Sequence, residues 1–200
     1  MQDLITRKRE LRQDIRRRLE ELGAEEMRAK SRAVHERLFA SRWWSEARWV
    51  FVYLAMAGEV DTGPIVIRGY RESKGVAIPR IEGDQIVFYR YEGRTRELIP
   101  NQFGILEPDP QWIPVDALAL EQGPLLVLCP GLGFDRNLHR IGRGKGYYDR
   151  FLARLRTGRL PSWAVGLAFA EQLVAEVPCC PHDQRLDGLI TDRESIAAEA

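Results

Sequence analysis

Apolar side chains in the first forty residues recur every three or four positions. Leu11, Ile15, Leu19 and Leu22 form one stripe on a 3.6-residue period, which predicts a helix over 7–22 closed by Gly23. A second helix is expected over 25–39, with Met27, Val34 and Leu38 on its apolar side. The pattern then changes. Residues 49–55 (Trp-Val-Phe-Val-Tyr-Leu-Ala) are an unbroken apolar run rich in β-branched and aromatic residues, as expected for a strand buried on both faces. Thr62 is placed to cap a helix starting near Pro64. Strands are expected at 75–79, 85–91, 125–129, 163–169 and 189–191, with helices at 146–155 and 171–175. Alternating strands and helices predict an α/β fold: three layers, a mainly parallel central sheet flanked by helices, and a ligand site at the strand C-terminal ends. One domain over 1–200 is expected, with a helical N-terminus (1–45) packed on an α/β body (49–200). The Pro-rich stretch 94–122 reads as an ordered excursion over one sheet edge, and there is no internal repeat.

Composition narrows the class. With 44% hydrophobic and 30% charged residues, the chain can bury a core without disulfides or metal, which excludes collagenous, disordered and small secreted scaffolds. The longest apolar run, 49–57, is nine residues, about half of a membrane span. The charged N-terminus has no apolar segment of a secretory signal. The three cysteines, two of them adjacent at 179 and 180, suggest a reduced, cytoplasmic protein. The net charge of +1 argues against nucleic acid as a partner, but it conceals one concentrated block. Residues 135–160 carry eight cations against two acids, in the chain's most glycine-rich stretch. That pairing points to a small anion such as phosphate.

The candidate chemistry lies in that block. Gly142, Gly144 and Gly146 alternate with Arg143 and Lys145, between a buried strand and a predicted helix start. Glycines let backbone N–H groups approach a phosphate, and the helix dipole and cations add charge. The spacing is neither that of a Walker A loop nor that of a dinucleotide fingerprint. The plain alternative is a glycine-rich turn with solvated arginines. Asp149, in the first helical turn, and Asp187, before the last strand, read either as dipole compensation and a loop acid or as Mg2+ ligands beside phosphates. Trp43, Trp44 and Trp112 read as packing residues, His35 as a helix-surface residue, and His139 and His182 as loop hydrogen bonders.

Several motifs occur in order: Lys8-Arg-Glu-Leu-Arg12, Glu59-Val-Asp-Thr62, Pro79-Arg80, Pro130-Gly-Leu-Gly-Phe-Asp135, Arg140-Ile-Gly-Arg-Gly-Lys-Gly-Tyr-Tyr-Asp149 and His182-Asp183 with Asp187. With them the chain resembles the 5-formyltetrahydrofolate cyclo-ligase (5,10-methenyltetrahydrofolate synthetase) family over nearly its full length. The resemblance implies ATP- and Mg2+-dependent closure of 5-formyltetrahydrofolate, with or without a polyglutamate tail, to 5,10-methenyltetrahydrofolate, releasing ADP and phosphate. It implies phosphorylation of the formyl oxygen, attack by N10 and loss of phosphate, carried out by a monomer without nucleic acid or membrane. Position by position, it implies ATP contacts from Lys8, Arg12, Arg140, Ile141, Gly142, Arg143, Gly144, Lys145, Gly146, Tyr147 and Tyr148. Arg143, Lys145 and Tyr147 are the implied catalytic group. Leu54, Glu59 and Phe103 are implied on the folate side, with Arg143, Gly144, Lys145, Gly146 and Tyr147 lining the junction. Asp149 and Asp187 match the metal positions.

One departure concerns Leu138, where family members commonly have glycine. Leucine disfavours positive φ, so the turn is expected to put Asn137 in the left-handed region instead. Two other readings compete. A binding module without catalysis would show no turnover. A sugar-phosphate isomerase or CoA-transferase-like enzyme would need a base or glutamate nucleophile in the cleft, and would turn over without ATP.

Overall fold

The computed structural model describes residues 2–93, 98–100, 106–121 and 123–198. In chain order it contains α1 (Gln2–Glu20), α2 (Ala24–Phe39), α3 (Arg42–Glu46), β1 (Trp49–Phe51), α4 (Gly63–Arg71), β2 (Gly75–Glu82) and β3 (Gln85–Arg90). Short pieces follow: β4 (Ile99–Pro100), β5 (Leu106–Glu107) and β6 (Pro114–Val115). The second half holds β7 (Leu125–Cys129), β8 (Gly133–Phe134), β9 (Arg140–Ile141), α5 (Tyr147–Leu155), β10 (Ser162–Ala168), a 3-10 turn (Ala170–Gln172), β11 (Gly188–Thr191) and β12 (Ser195–Ala197). One eight-stranded sheet runs β12-β11-β10-β7-β1-β2-β3-β6. Its central strands β11, β10, β7, β1 and β2 are parallel, and β12, β3 and β6 add antiparallel edges.

Strand period decides which face each apolar residue serves. Val50 and Val52, Leu126 and Leu128, and Val165 and Leu167 join the core beneath α1–α4, with Ile15, Leu38, Trp43, Trp44 and Ile65. Their alternates Phe51, Leu125, Val127, Cys129 and Ala164 join the opposite core, against Leu152 and Leu155 of α5. Burial on both faces explains why residues 49–55 and 125–129 read as unbroken apolar runs. The crossover through α4 carries the chain from β1 to β2; that through α5 carries it from β7 to β10, on the other side of β1. Right-handed crossovers in opposite directions put their helices on opposite faces, as the two cores require. β1 and β7 are neighbours, so the sheet order reverses between them. A crevice at such a reversal, outside the strand C-terminal ends, is where open α/β sheets bind ligands.

Several expectations need correction. β1 ends at Phe51, with one further bond from Val52 N to Ala77 O, because its neighbours' connections part there. Thr62 does not cap α4 with its side chain: its buried hydroxyl donates to Tyr53 O, and Asp61 Oδ1 accepts from Gly63 N instead. The helix expected at 171–175 is only the 3-10 turn. His35 is 7% exposed, not on the surface; with Ser31 it fastens α2 to Asp61. Within the 94–122 stretch, the described β6 extends the sheet edge at Phe88 and Tyr89.

Leu138 itself, not Asn137, takes the left-handed conformation, at φ 66°. Buried Asp135 fixes the turn by accepting from His139 N, His139 Nδ1 and Val177 N, while Leu138 N bonds Asp135 O. The Leu138 side chain is 1% exposed in the α5-side core. Left-handed leucine costs about 1–2 kcal/mol, whereas deleting a buried leucine side chain costs about 2–5 kcal/mol. Packing therefore wins. Leu138→Gly should lower stability by about 2 kcal/mol and Tm by roughly 4–8 °C in a melt. A Tm that rises would show that backbone strain is the larger effect.

Candidate functional site

Two long loops meet at the sheet reversal. Residues 52–62 leave the end of β1, and residues 130–146 leave the end of β7 and lead into α5. They touch through Arg143 Nη2 and Glu59 Oε1, 3.4 Å apart. Glu59 is held by its own loop: Oε2 accepts from Met56 N at 3.0 Å, and Glu59 N bonds Met56 O. Leu54 is half-buried and packs on the helical-side core where this loop begins.

Helix α1 lies across these loops. A Cβ on Gly133 would stand 2.3 Å from Ile15 Cδ1, so only glycine lets the helix come this close. Lys8 and Arg12, one turn apart, share a face as their spacing predicts. Lys8 Nζ lies 2.6 Å from Asp183 Oδ2 and 3.6 Å from Cys180 Sγ. Arg12 Nε donates to Gly142 O at 2.9 Å, with its Nη2 over Gly144. Burial works against the Lys8 charge, but the hydrogen bond and charge of Asp183, with Cys180, together outweigh it and raise the pKa. Burial works against the Asp183 charge too; Lys8 and Cys180 N overcome it and lower that pKa. Burial and the like charge of Arg16 push Arg12 below its usual range, a strain that a bound anion would relieve.

The glycine loop is built for backbone approach. β8 and β9 pair as a small hairpin, after which Gly144 (φ 100°) and Gly146 (φ 67°) take left-handed conformations that side-chain-bearing residues avoid. Gly146 is the N-cap of α5 and supplies no side-chain cap, which leaves first-turn N–H groups to an external partner. Arg143, Gly144 and Lys145 are exposed. Tyr147 lies beneath Arg150, whose guanidinium carbon is 5.3 Å from the ring centroid. Arg150 Nη1 also donates to Lys145 O and so braces the loop from the helix behind it.

Below the loop is a buried polar layer. Arg140, its side chain 4% exposed, pairs with Asp149 Oδ1 at 2.9 Å, and Gln184 N donates to the same oxygen. The Arg140 guanidinium carbon lies 6.0 Å from the Tyr148 ring centroid. Ile141 is buried in the helical-side core. Burial pushes the Tyr148 phenol well up, and Cys129, Tyr53 and Glu59 are among the groups near enough to add to it. Burial also raises the Cys129 thiol to about 12, and Arg140, Asp187 and Asp149 all lie within electrostatic reach of it. Asp187 Oδ2 accepts from Ala164 N at 2.7 Å, with Arg156 3.9 Å from Oδ1.

The structure thus brings Lys8, Arg12, Glu59 and residues 142–147 around one crevice. It sets Arg140 and Ile141 in the layer beneath, and Asp187 beside β10. Phe103 lies outside the described residues. Trp43, Trp44 and Trp112 are buried in the core as expected, and all three cysteines are free. Sequence reasoning missed Arg150 and Gln172. Buried Gln172 ties Gly131 O and Leu132 O to Phe169 N, and nothing in its local pattern announces that clasp. No helix among the described residues is long and apolar enough to cross a membrane.

The model of the 5-formyltetrahydrofolate cyclo-ligase family matches residues 5–192. The chain is 32% identical over 197 residues to a probable 5-formyltetrahydrofolate cyclo-ligase of Caenorhabditis elegans, covering 94% of each chain. It is 30% identical over 195 residues to the 5-formyltetrahydrofolate cyclo-ligase of Mus musculus, covering 92% of each. Among solved structures, the Aquifex aeolicus 5,10-methenyltetrahydrofolate synthetase superposes with a TM-score of 0.78 at 30% identity, over 95% of this chain and 92% of that one.

Proposed function

The chain belongs to the 5-formyltetrahydrofolate cyclo-ligase family, and from that premise we propose that it closes 5-formyltetrahydrofolate to 5,10-methenyltetrahydrofolate with ATP and Mg2+, releasing ADP and phosphate. The observation that carries this reading is the Arg143–Glu59 contact across the reversal of sheet order. It joins a loop shaped for phosphate to a loop that can face an organic acceptor, as transfer between two ligands requires.

The formyl oxygen of an amide is a poor leaving group. In the proposed sequence that oxygen attacks the γ-phosphorus, and the bond to ADP breaks. N10 then adds to the activated carbon and loses its proton, and the C–O bond breaks to release phosphate. Little covalent work falls to the protein beyond positioning and charge neutralisation. Arg143 and Lys145 offset charge on the transferred group, while the 142–146 backbone and the α5 N-terminus hold the phosphates. Lys8 and Arg12 hold the nucleotide from α1, and Tyr147 lines the junction. Leu54 and Glu59 belong to the folate side, where Glu59 accepts hydrogen bonds from the pterin.

The donor set suits Mg2+. Asp149 engages Oδ1 and keeps Oδ2, a hard ligand of the kind that Mg2+ combines with phosphate oxygens, whereas Asp187 engages Oδ2 with Ala164 N and its Oδ1 faces Arg156, which the ion would have to displace. Asp149 and Asp187 would hold the ion, which would neutralise phosphate charge.

The test mixes purified protein with Mg-ATP and 5-formyltetrahydrofolate and follows the near-ultraviolet absorbance of the methenyl product. An ATP-dependent rise is expected, and its absence would overturn the proposal. Glu59→Gln should raise the KM for 5-formyltetrahydrofolate more than that for ATP. Equal effects on the two would remove Glu59 from the folate side.

A further inference from the structure

Arg150, at the start of α5, is exposed, yet three separate groups hold it in one place. Its Nη1 donates to Lys145 O in the glycine loop at 3.0 Å. Its Nη2 donates to Asp84 O, in the turn between β2 and β3. Its guanidinium carbon lies 5.3 Å from the centroid of the Tyr147 ring. Gly146 makes room for this, because a Cβ there would stand 3.0 Å from Arg150 Nη1. Ordering a long exposed side chain costs conformational entropy, and polar contacts at the surface return little folding stability. What these contacts achieve is orientation.

The peptide between Lys145 and Gly146 is planar and trans, so its C=O and N–H point in opposite directions. With the carbonyl drawn to Arg150, the Gly146 N–H faces away from the guanidinium. Among the described residues that N–H meets no backbone acceptor, and neither do those of Arg143, Gly144 and Lys145. Arg12 acts alike from α1: its Nε holds Gly142 O, which turns the Arg143 N–H away from it. Two arginines from two helices thus set two peptides of one loop. The bond to Asp84 adds a third element. β2 runs on from Ala77, the partner of Phe51 at the end of β1, to Glu82. The β2–β3 turn therefore stands beyond the end of β1, and Arg150 fastens it to the glycine loop.

We propose that Arg150 is a positioning residue for the nucleotide. By holding Lys145 O and Asp84 O together, it fixes the loop in the conformation that offers its N–H groups, Gly146 first, to a phosphate. The same guanidinium holds the Tyr147 ring beside them. This rests on the function proposed above, in which residues 142–146 hold the phosphates. Arg150 acts through Lys145 and Tyr147, not on a reacting atom.

Arg150→Ala should raise the Kd of Mg-ADP, read by calorimetry, and the KM for ATP about five- to tenfold, roughly the worth of one hydrogen bond. The Tm of ligand-free protein should stay within about 2 °C, as for most surface substitutions. The variant-to-wild-type ratio of Kd should be the same at about 0.05 M and about 0.5 M KCl, because salt screens a distant charge but not a held backbone. Arg150→Lys keeps the charge but neither the fork nor the flat face, and should recover only part of the affinity. A Kd for Mg-ADP within about twofold of wild type in Arg150→Ala would overturn the proposal. A loss that disappears at high salt or in Arg150→Lys would overturn it as well, since charge alone then accounts for it. So would a Tm fall of several degrees, since the residue then supports the fold as a whole. Failure of the underlying function looks different: wild-type protein would then form no ATP-dependent product, while the Mg-ADP comparison still reads the loop.

Discussion

Lys145→Ala is expected to lower kcat/KM for ATP-dependent product formation by about 10² or more with no change in Tm. The residue lies between two left-handed glycines in an exposed loop at the mouth of the crevice, and its ammonium pairs with no described residue. A cation held out on a loop, with no partner to stabilise the fold, contributes nothing measurable to folding. Its value must lie in what it meets when ligands bind. A charge aimed at a phosphoryl group in transfer contributes more as charge redistributes in the transition state, so the loss should fall on kcat as well as KM. A factor of 10² corresponds to about 2.7 kcal/mol. Steady-state kinetics with a parallel melt decide the matter. Near-normal kinetics with an unchanged melt would remove Lys145 from the mechanism and leave Arg143 as the cation of the transfer.

The sequence and the structure agree best where one physical effect dominates. The runs at 49–55 and 125–129 declared strands buried on both sides, and both stand at the centre of the sheet. The α1 stripe declared a helix packed by one face, and Ile15 and Leu19 are buried there. Disagreement came where local preference met tertiary demand. Leu138 should avoid the left-handed region, yet Asp135 fixes the turn and a buried pocket holds the side chain. His35 looked like a polar residue on a solvated face, but a carbonyl of the β1–α4 loop awaited it. The edge strands β6 and β12 are too short to show a period of two and were not legible. In the site, alternating glycines and cations marked the loop because backbone approach and charge both leave compositional traces. The division of labour within it does not. Arg140 and Arg143 read alike in sequence, yet one side chain is 4% exposed in a buried ion pair and the other 41% exposed across from Glu59. That difference depends on β9 pairing with β8, which turns Arg140 inward.

Arg140→Ala should therefore behave as a stability variant more than a binding variant. Truncation leaves Asp149, its side chain 17% exposed, with only Gln184 N on Oδ1. Removing one partner of a buried ion pair typically costs about 3–5 kcal/mol because the other charge stays desolvated. The residual exposure of Asp149 places the expectation at the lower end, about 3 kcal/mol, or roughly 6–12 °C in Tm for a domain of this size. The loss should appear in ligand-free protein, before any nucleotide is added. A residue whose main role is to grip ATP would leave the ligand-free Tm unchanged and raise the KM for ATP. The double variant Arg140→Ala/Asp149→Ala sharpens the distinction. If the single cost is an unpaired buried carboxylate, removing that carboxylate too should recover part of the loss, and the two substitutions should fall short of additive by about 1 kcal/mol or more. Additive losses would mean that each side chain packs independently and that the pair does not anchor the first turn of α5. A sub-additive loss fits an arrangement in which Arg140 holds Asp149 in place from below, so that the second carboxylate oxygen stays turned to whatever cation the site takes up.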